Sequence, residues 1–419
     1  MIRQALIAGV ASVALGSALL IAQTKTVPRP PAAPPGQPPG ESAAPDGYQP
    51  LPQWLGQTRA PMTSKTETFS VDTFAQGFTG AGGFKFLPDG RIVVYERASG
   101  KILIVGKDGK AGEPLGGMPA NLFKTGQQLN DVQPDRNFAA NRMLYISYAV
   151  LPEGGDPAKQ RNPAHFHIAS AKLSADDRSL ENVKDLLDTE GTGAHLVQAP
   201  DGTLLITTTV PAGLGIKSEE WMQPQQLDSL MGKVLRINAD GTIPRDNPFA
   251  GRAGARPEIY ALGLRDDQGL AIHPKTGHLW TSEHGPRGGD EINDIEKGKN
   301  YGFPVIGYGR DYTGKPINND KTAQAGMEQP VYFWTPDIAP GGIAFYTGRM
   351  FPSWDGSLFV SGLVSKNLVR LQLNGNRVVA EERLLGDLNT RIRAVNEGPD
   401  GALYVLTDGP GGKILRLKK

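Results

Sequence analysis

The apolar positions of this chain fall in short runs that stop at turn residues and then resume. "FKFLPDGRIVVYER" begins at Phe84, "LVQAPDGTLLITT" at Leu196 and "AVNEGPDGALYVLTD" at Ala394. "DVQPDRNFAANRMLYISYA" from Asp131, "LAIHPKTGHLWTSE" from Leu270 and "FPSWDGSLFVSGL" from Phe351 vary the same phrase. Each sets an apolar or alternating run against a second one across a tight turn. Asp-Gly tolerates the positive φ that a hairpin turn matched to strand twist requires. The flanking Val, Ile, Leu, Phe and Tyr favour strands.

A second phrase follows several copies. "GKILIVGKDG" starts at Gly100, "GKVLRINADG" at Gly232, "KNLVRLQLNG" at Lys366 and "GKILRLKK" at Gly412. These read as the next strand outward. Three-strand meanders recurring six times predict an all-β fold, a six-bladed β-propeller. The copies lie roughly 45 to 80 residues apart, more than a regular blade needs. The excess is expected in loops, which in such folds carry function. "ETFSVDTFAQG", from Glu67 to Gly77, is expected to add a strand to the C-terminal blade and close the ring. Such a ring has a central channel with polar loops converging on one mouth.

The region before the repeats is different. Residues 1–24 carry Arg3 and then an apolar run from Ala5 to Ala22, which reads as a secretory signal peptide or an uncleaved anchor. Export to the periplasm is the expectation. Residues 25–65 are too rich in proline for helix or central strand and read as an extended tether. The propeller is expected over 66–419. With 53 Gly and 34 Pro, the composition suits a turn-rich β fold. A formal net charge of +1 gives no electrostatic case for nucleic acid. The absence of cysteine excludes disulfides, thiolate metal sites, iron–sulfur clusters and cysteine nucleophiles.

Three stretches offer chemistry. "ALGLRDDQGL", 261–270, brings Arg265, Asp266 and Gln268 together. Arg265 could clamp a carboxylate at two points, or pair with a neighbouring loop. "TRIRAVNEGPDG", 390–401, puts Arg391 and Arg393 on one face of a strand, where they repel unless an anion or a carboxylate lies between them. "TSEHGPRGGDEINDIEKGKNYGFPV", 281–305, reads either as a solvated loop or as an oxygen-rich cage for a hard cation. In the second case Glu291 and nearby main-chain carbonyls are the donors. His165 and His167 read as alternate residues of a strand, and His284 as a structural neighbour of the oxygen-rich loop.

"GKVLRINADGTIPRDNPF", "ALGLRDDQGLAIHP", "SEHGPRGGDEINDIEKGKNYGFPV", "APGGIAFYTG" and "RIRAVNEGPDGALYVLTD" resemble the soluble, PQQ-dependent aldose sugar dehydrogenases, the glucose/sorbosone dehydrogenase family of six-bladed propellers. The resemblance runs from about Thr66 onward. It implies a quinoprotein that oxidises an aldose to its lactone and passes electrons to an external acceptor. PQQ would lie across the channel mouth with calcium held by the carbonyls of Gly285 and Pro286. A second calcium would use Glu291, the main chain of Tyr301, and Asp311. Arg265, Asp266, Tyr312, Arg391 and Arg393 match cofactor contacts. Gln268 joins the Arg265–Asp266 group, and Gln127 stands beside the position of a further contact.

The chain departs from the family pattern where a base is needed. The family's catalytic His falls on Gly191, and a family Arg falls on His195. His195 is the candidate displaced base, with a structural role as the alternative; Glu190 and Asp266 are other acceptors. A family lysine near the quinone falls on Val364, with Lys366 two residues on. Two rival readings stay open here: a propeller that binds a ligand without turnover, and a calcium-dependent lactone hydrolase.

Overall fold

The computed structural model describes residues 60–63, 67–123, 127–150, 165–190, 193–210, 219–311 and 314–419. The expected signal or anchor, most of the tether, Gly191 and Tyr312 lie outside these residues, as does the side chain of Glu190.

The strands form six sheets. β1 (Ser70–Thr79) precedes the first blade, which is β2 (Ala81–Phe86), β3 (Ile92–Glu96) and β4 (Lys101–Val105). The second blade is β5 (Leu129–Pro134), β6 (Met143–Val150), β7 (His165–Leu173) and β8 (Leu180–Glu190). The third is β9 (Ala194–Gln198), β10 (Leu204–Thr208), β11 (Lys233–Ile237) and β12 (Ile259–Leu262). The fourth is β13 (Asp267–Ile272), β14 (Leu279–Glu283), β15 (Asp290–Ile295) and β16 (Tyr332–Trp334). The fifth is β17 (Pro340–Phe345), β18 (Leu358–Gly362), β19 (Leu368–Asn374) and β20 (Arg377–Leu384). The sixth is β21 (Ile392–Glu397), β22 (Leu403–Thr407) and β23 (Pro410–Lys418), completed by β1.

Each inner strand packs on the next: β2 on β5, β5 on β9, β9 on β13, β13 on β17, β17 on β21, and β21 back on β2. The ring is a six-bladed propeller. β1 closes it by pairing antiparallel with β23, from Ser70 opposite Lys418 to Thr79 opposite Pro410. The core is divided rather than central. Six apolar clusters lie one between each pair of adjacent blades. Two-sided burial explains why strands such as β3, β10 and β22 are largely apolar and buried at every residue.

Turn chemistry follows the sequence at Gly90, Gly202, Gly356 and Gly401, whose φ values are 89°, 86°, 71° and 81°. The second hairpin has no Asp-Gly. A single helical turn, α1 (Phe138–Asn141), and Arg142 at φ 58° make the reversal instead.

The fifth hairpin is placed differently from the sequence reading. Its inner strand is β17, upstream of Phe351, and the stretch from Phe351 connects β17 to β18. Phe351 and Trp354 are fully buried in that connection, their ring centroids 4.5 Å apart, filling the space between blades five and six. The inner strand escaped notice because it carries Gly341 and Gly342. A Cβ on Gly341 would lie 2.3 Å from the carbonyl oxygen of Arg393, so the close approach of β17 and β21 requires glycine.

Ordered contact also begins earlier than Thr66. The Thr63 N–H donates to the carbonyl of Glu381 and the Glu381 N–H to that of Pro61, at 2.8 and 3.0 Å. Ala60 is buried between blades four and five.

In an antiparallel meander the start of the inner strand and the end of the second strand share one rim. The register shows this directly: Ala81 opposes Glu96, Asp267 opposes Glu283, Pro340 opposes Gly362 and Ile392 opposes Thr407. Gln127, Arg265, Asp266 and Arg391 precede inner strands, while Arg97, His284 and Asp408 follow second strands. Topology alone therefore gathers them at one mouth.

Candidate active site

Cations dominate one side of the rim. The Arg391 Nε and the Arg393 Nη2 both donate to Asp408 Oδ2, at 2.9 and 3.0 Å. The carboxylate that two arginines on one face require is thus supplied by the end of β22. Burial pushes the Asp408 carboxyl up, but the charge of Arg393 and hydrogen bonds from both arginines hold it below the usual range. Arg97 joins them from blade one. Burial and then the charge of Arg393 depress its pKa, so the two guanidinium groups feel each other. Arg97 donates to Gln127, which in turn donates to Asn130. Like charges held together at a half-open mouth make a site for an anion.

Below the rim lies the channel. Lys85 of β2, Asp131 of β5, His195 of β9, Gln268 of β13 and Asn396 of β21 line it, with Tyr95 reaching in from β3. His195 Nδ1 stands 3.7 Å from Asp131 Oδ2. Gln268 also donates to Asp266 at 2.7 Å.

Blade four supplies the oxygen-rich side. Arg265 donates from Nη1 to the His284 carbonyl at 2.7 Å, and its backbone N–H to Glu283 at 3.0 Å. Asp266 lies 3.5 Å from His284 Nδ1. Burial pushes the Asp266 carboxyl up, but the hydrogen bond and charge of His284, with Arg265 and Gln268, overcome this and hold it at about 2. It is a poor proton acceptor near neutral pH. His284 Nε2 donates to the Pro340 carbonyl at 2.7 Å and ties blade four to blade five.

The loop 285–289 is held by its N–H groups. Gly285 donates to Asp290 at 2.9 Å, Gly288 to Asp337 at 2.7 Å and Gly289 to Trp334 at 2.9 Å. Gly289 has φ 79°, and a Cβ there would lie 2.6 Å from the Tyr308 and Gly309 backbone. With the donors occupied, no hydrogen bond among the described residues reaches the carbonyls of Gly285, Pro286 or Tyr301. All three residues line one cavity with Arg265, Glu283 and Glu291. Asp311 is not among that lining; its carboxylate accepts the Lys315 N–H at 2.8 Å and closes a local turn.

The carboxylates of this blade are stacked across strands. Asp267 opposes Glu283, and Glu283 opposes Glu291. All three are buried. Burial pushes Glu283 up to about 7, while burial and the charge of Glu283 push Asp267 and Glu291 well above the ordinary range. Both Asp267 carboxylate oxygens, Thr281 Oγ1 and Asn293 Oδ1 are buried without a hydrogen-bond partner. Among the described residues no three His, Asp or Glu side chains converge closely enough to hold a metal alone. A cation here would need the unbonded carbonyls as well, and oxygen-only donors of that mixture suit calcium.

Of the residues singled out in the sequence, Gln127, Asp266, Gln268, Arg391, Arg393 and His195 share the mouth and upper channel. Arg265, Gly285, Pro286, Glu291 and Tyr301 share the cavity beside it. The sequence reading missed Arg97, Asp131, Asp267, Glu283 and Asp408. Arg97, Asp267, Glu283 and Asp408 sit at strand ends and Asp131 inside β5, and strand register or blade packing, not local sequence, gives each its neighbours.

Comparison with known proteins fits this arrangement. The family profile described as Glucose / Sorbosone dehydrogenase matches residues 80–416. The aldose sugar dehydrogenase YliI of Escherichia coli (strain K12) is 37% identical over 359 residues, spanning 84% of this chain and 93% of its own. Quinoprotein glucose dehydrogenase B of Acinetobacter calcoaceticus is 28% identical over 428 residues, spanning 83% and 87%. The solved structure of the soluble aldose sugar dehydrogenase from Escherichia coli in the apo-form superposes with a TM-score of 0.76 at 34% identity, covering 84% of this chain and 99% of that one. The PQQ-bound aldose sugar dehydrogenase of Streptomyces coelicolor superposes with a TM-score of 0.66 at 25% identity, covering 84% and 98%.

Proposed function

The chain belongs to the glucose/sorbosone dehydrogenase family, and on that premise we propose that it is a PQQ- and calcium-dependent enzyme, exported to the periplasm, that oxidises an aldose to its lactone and delivers the electrons to an external acceptor. The observation that carries this reading is the meeting, at one mouth, of mutually repelling Arg97 and Arg393 with unbonded main-chain carbonyls beside buried carboxylates.

PQQ is a flat tricarboxylate. Arg97, Arg391, Arg393 and Gln127 would hold its carboxylates, with Arg265, Asp266, Gln268 and Tyr312 completing the border. The carbonyls of Gly285 and Pro286 would hold a calcium ion against it. A second calcium would take Glu291 and the Tyr301 carbonyl, and Glu283 stands within reach of the same cavity. The turn formed by Asp311 leaves its carboxylate engaged elsewhere, so we leave it out of this set. When bound, the calcium-polarised quinone supplies the two-electron acceptor for the substrate's hydride.

The remaining task for the chain is to take one proton. As the C1–H leaves with its electron pair, the anomeric O–H must lose its proton so that the C1–O bond becomes the lactone carbonyl. His195 is the histidine in the channel lining and is given that role. Asp266, held at about 2, is unsuited to it.

The test is turnover. Chain loaded with PQQ and calcium should reduce an artificial dye when an aldose is added, with lactone as product. PQQ uptake with no turnover on any aldose would favour the ligand-binding propeller.

A further inference from the structure

We propose that Asp131 is a positioning residue for the reaction: it fixes the His195 ring so that Nε2 faces the channel as the proton acceptor. The inference rests on the reading of His195 as the base.

Asp131 is 6% exposed and cannot swing. Its Oδ1 accepts the Val132 N–H at 2.8 Å, on its own strand. Its Oδ2 accepts the Leu196 N–H at 3.0 Å, on β9, one residue past His195. One carboxylate therefore welds blade two to the strand that carries the histidine. The same Oδ2 is the atom 3.7 Å from His195 Nδ1. At this distance the contact is electrostatic rather than a hydrogen bond, and because a carboxylate only accepts, its charge favours the proton on the ring nitrogen turned toward it. The lone pair is then left on Nε2, the nitrogen on the far side of the ring. No hydrogen bond among the described residues occupies that nitrogen, and the ring lines the channel cavity.

The other groups around this part of the channel do not offer a rival anchor. β2 gives Lys85, β3 gives Tyr95, β13 gives the uncharged Gln268, β17 gives Gly342, and β21 gives the uncharged Asn396. Arg97, Asp266 and Arg393 stand at the rim above. Across β10 the opposing residue is Thr207. Asp131 is the anion that His195 meets at ion-pair distance. Sequence alone hid the pair, because the two residues lie on different blades.

Two measurements test this. Nitrogen-15 spectra of histidine-labelled chain, without cofactor, read the tautomer directly. His195 should be held as the Nδ1–H form, and Asp131→Asn should release it to a mixture. Wild-type His195 found mainly as the Nε2–H form overturns the proposal even if the variant fails to fold. In the loaded enzyme, Asp131→Asn should lower kcat on the order of 10²-fold with little change in KM. A fall in kcat in an Asp131→Asn variant whose His195 keeps the Nδ1–H tautomer would reduce Asp131 to a structural weld and overturn the inference. A locked tautomer in a chain that oxidises no aldose would instead count against the proposed function.

Discussion

Asp408 shows how much a single side chain settles. The period of a strand puts Arg391 and Arg393 on one face, and that much is legible in the sequence. The sequence leaves open whether an anion or a carboxylate separates them. Register brings in Asp408, which accepts from both at 2.9 and 3.0 Å. Register is a property of two strands, so no stretch of one strand can announce it. Arg97 escaped for the same reason: it is one cation after a strand, meaningful only when the ring sets it against Arg393. If these arginines hold a carboxylated cofactor, Arg393→Gln should weaken PQQ binding about 10- to 100-fold, the range for a lost hydrogen bond to a charged group. Fluorescence titration checks this, and the melting temperature of the cofactor-free chain should stay close to wild type. An unchanged PQQ affinity would remove Arg393 from the cradle.

At the scale of an element, the row Asp267–Glu283–Glu291 across β13, β14 and β15 is costly as it stands. Like charges directly opposite in a sheet destabilise it. The sequence shows Arg-Asp-Asp-Gln as a polar loop, whereas the structure starts a buried strand at Asp267. Because these three carboxyls are pushed up, the native state holds protons that the unfolded chain releases above the ordinary carboxylate range. Stability of the calcium-free chain should therefore fall as pH rises from about 5 to about 8. Glu283, near 7, titrates inside that window. Thermal melts with and without calcium test this. Calcium at about 100 times its Kd should add about 2.7 kcal/mol at the upper pH and flatten the slope. Asp267→Asn removes one orphaned charge. It should raise the calcium-free melting temperature near pH 8 by roughly 2–4 °C per kcal/mol relieved, and leave it almost unchanged near pH 5. A melting temperature that rises with pH would contradict the account.

At the scale of the molecule, the fold was the most legible part. Six hairpin phrases, a second phrase after several, and a spare strand at Glu67–Gly77 specify a closed ring without any long-range information. Only the fifth blade was shifted, since glycine weakened its inner strand's signal and buried aromatics at Phe351 and Trp354 imitated a strand. Closure by β1 joins the two ends of the described propeller, and the apolar cluster between blades six and one takes Ala75 and Phe78 from it. Deleting Ser70–Thr79 should abolish the single cooperative melting transition seen by calorimetry. A deletion variant with a wild-type melt would show that the ring does not need its clasp.

The central claim is that this ring's mouth is a cradle for a quinone cofactor and its calcium. Titrating the calcium-loaded chain with PQQ tests that claim most directly. Saturation at one PQQ per chain, reversed when calcium is chelated, is the predicted result. Absence of saturable binding, or binding indifferent to calcium, would contradict it.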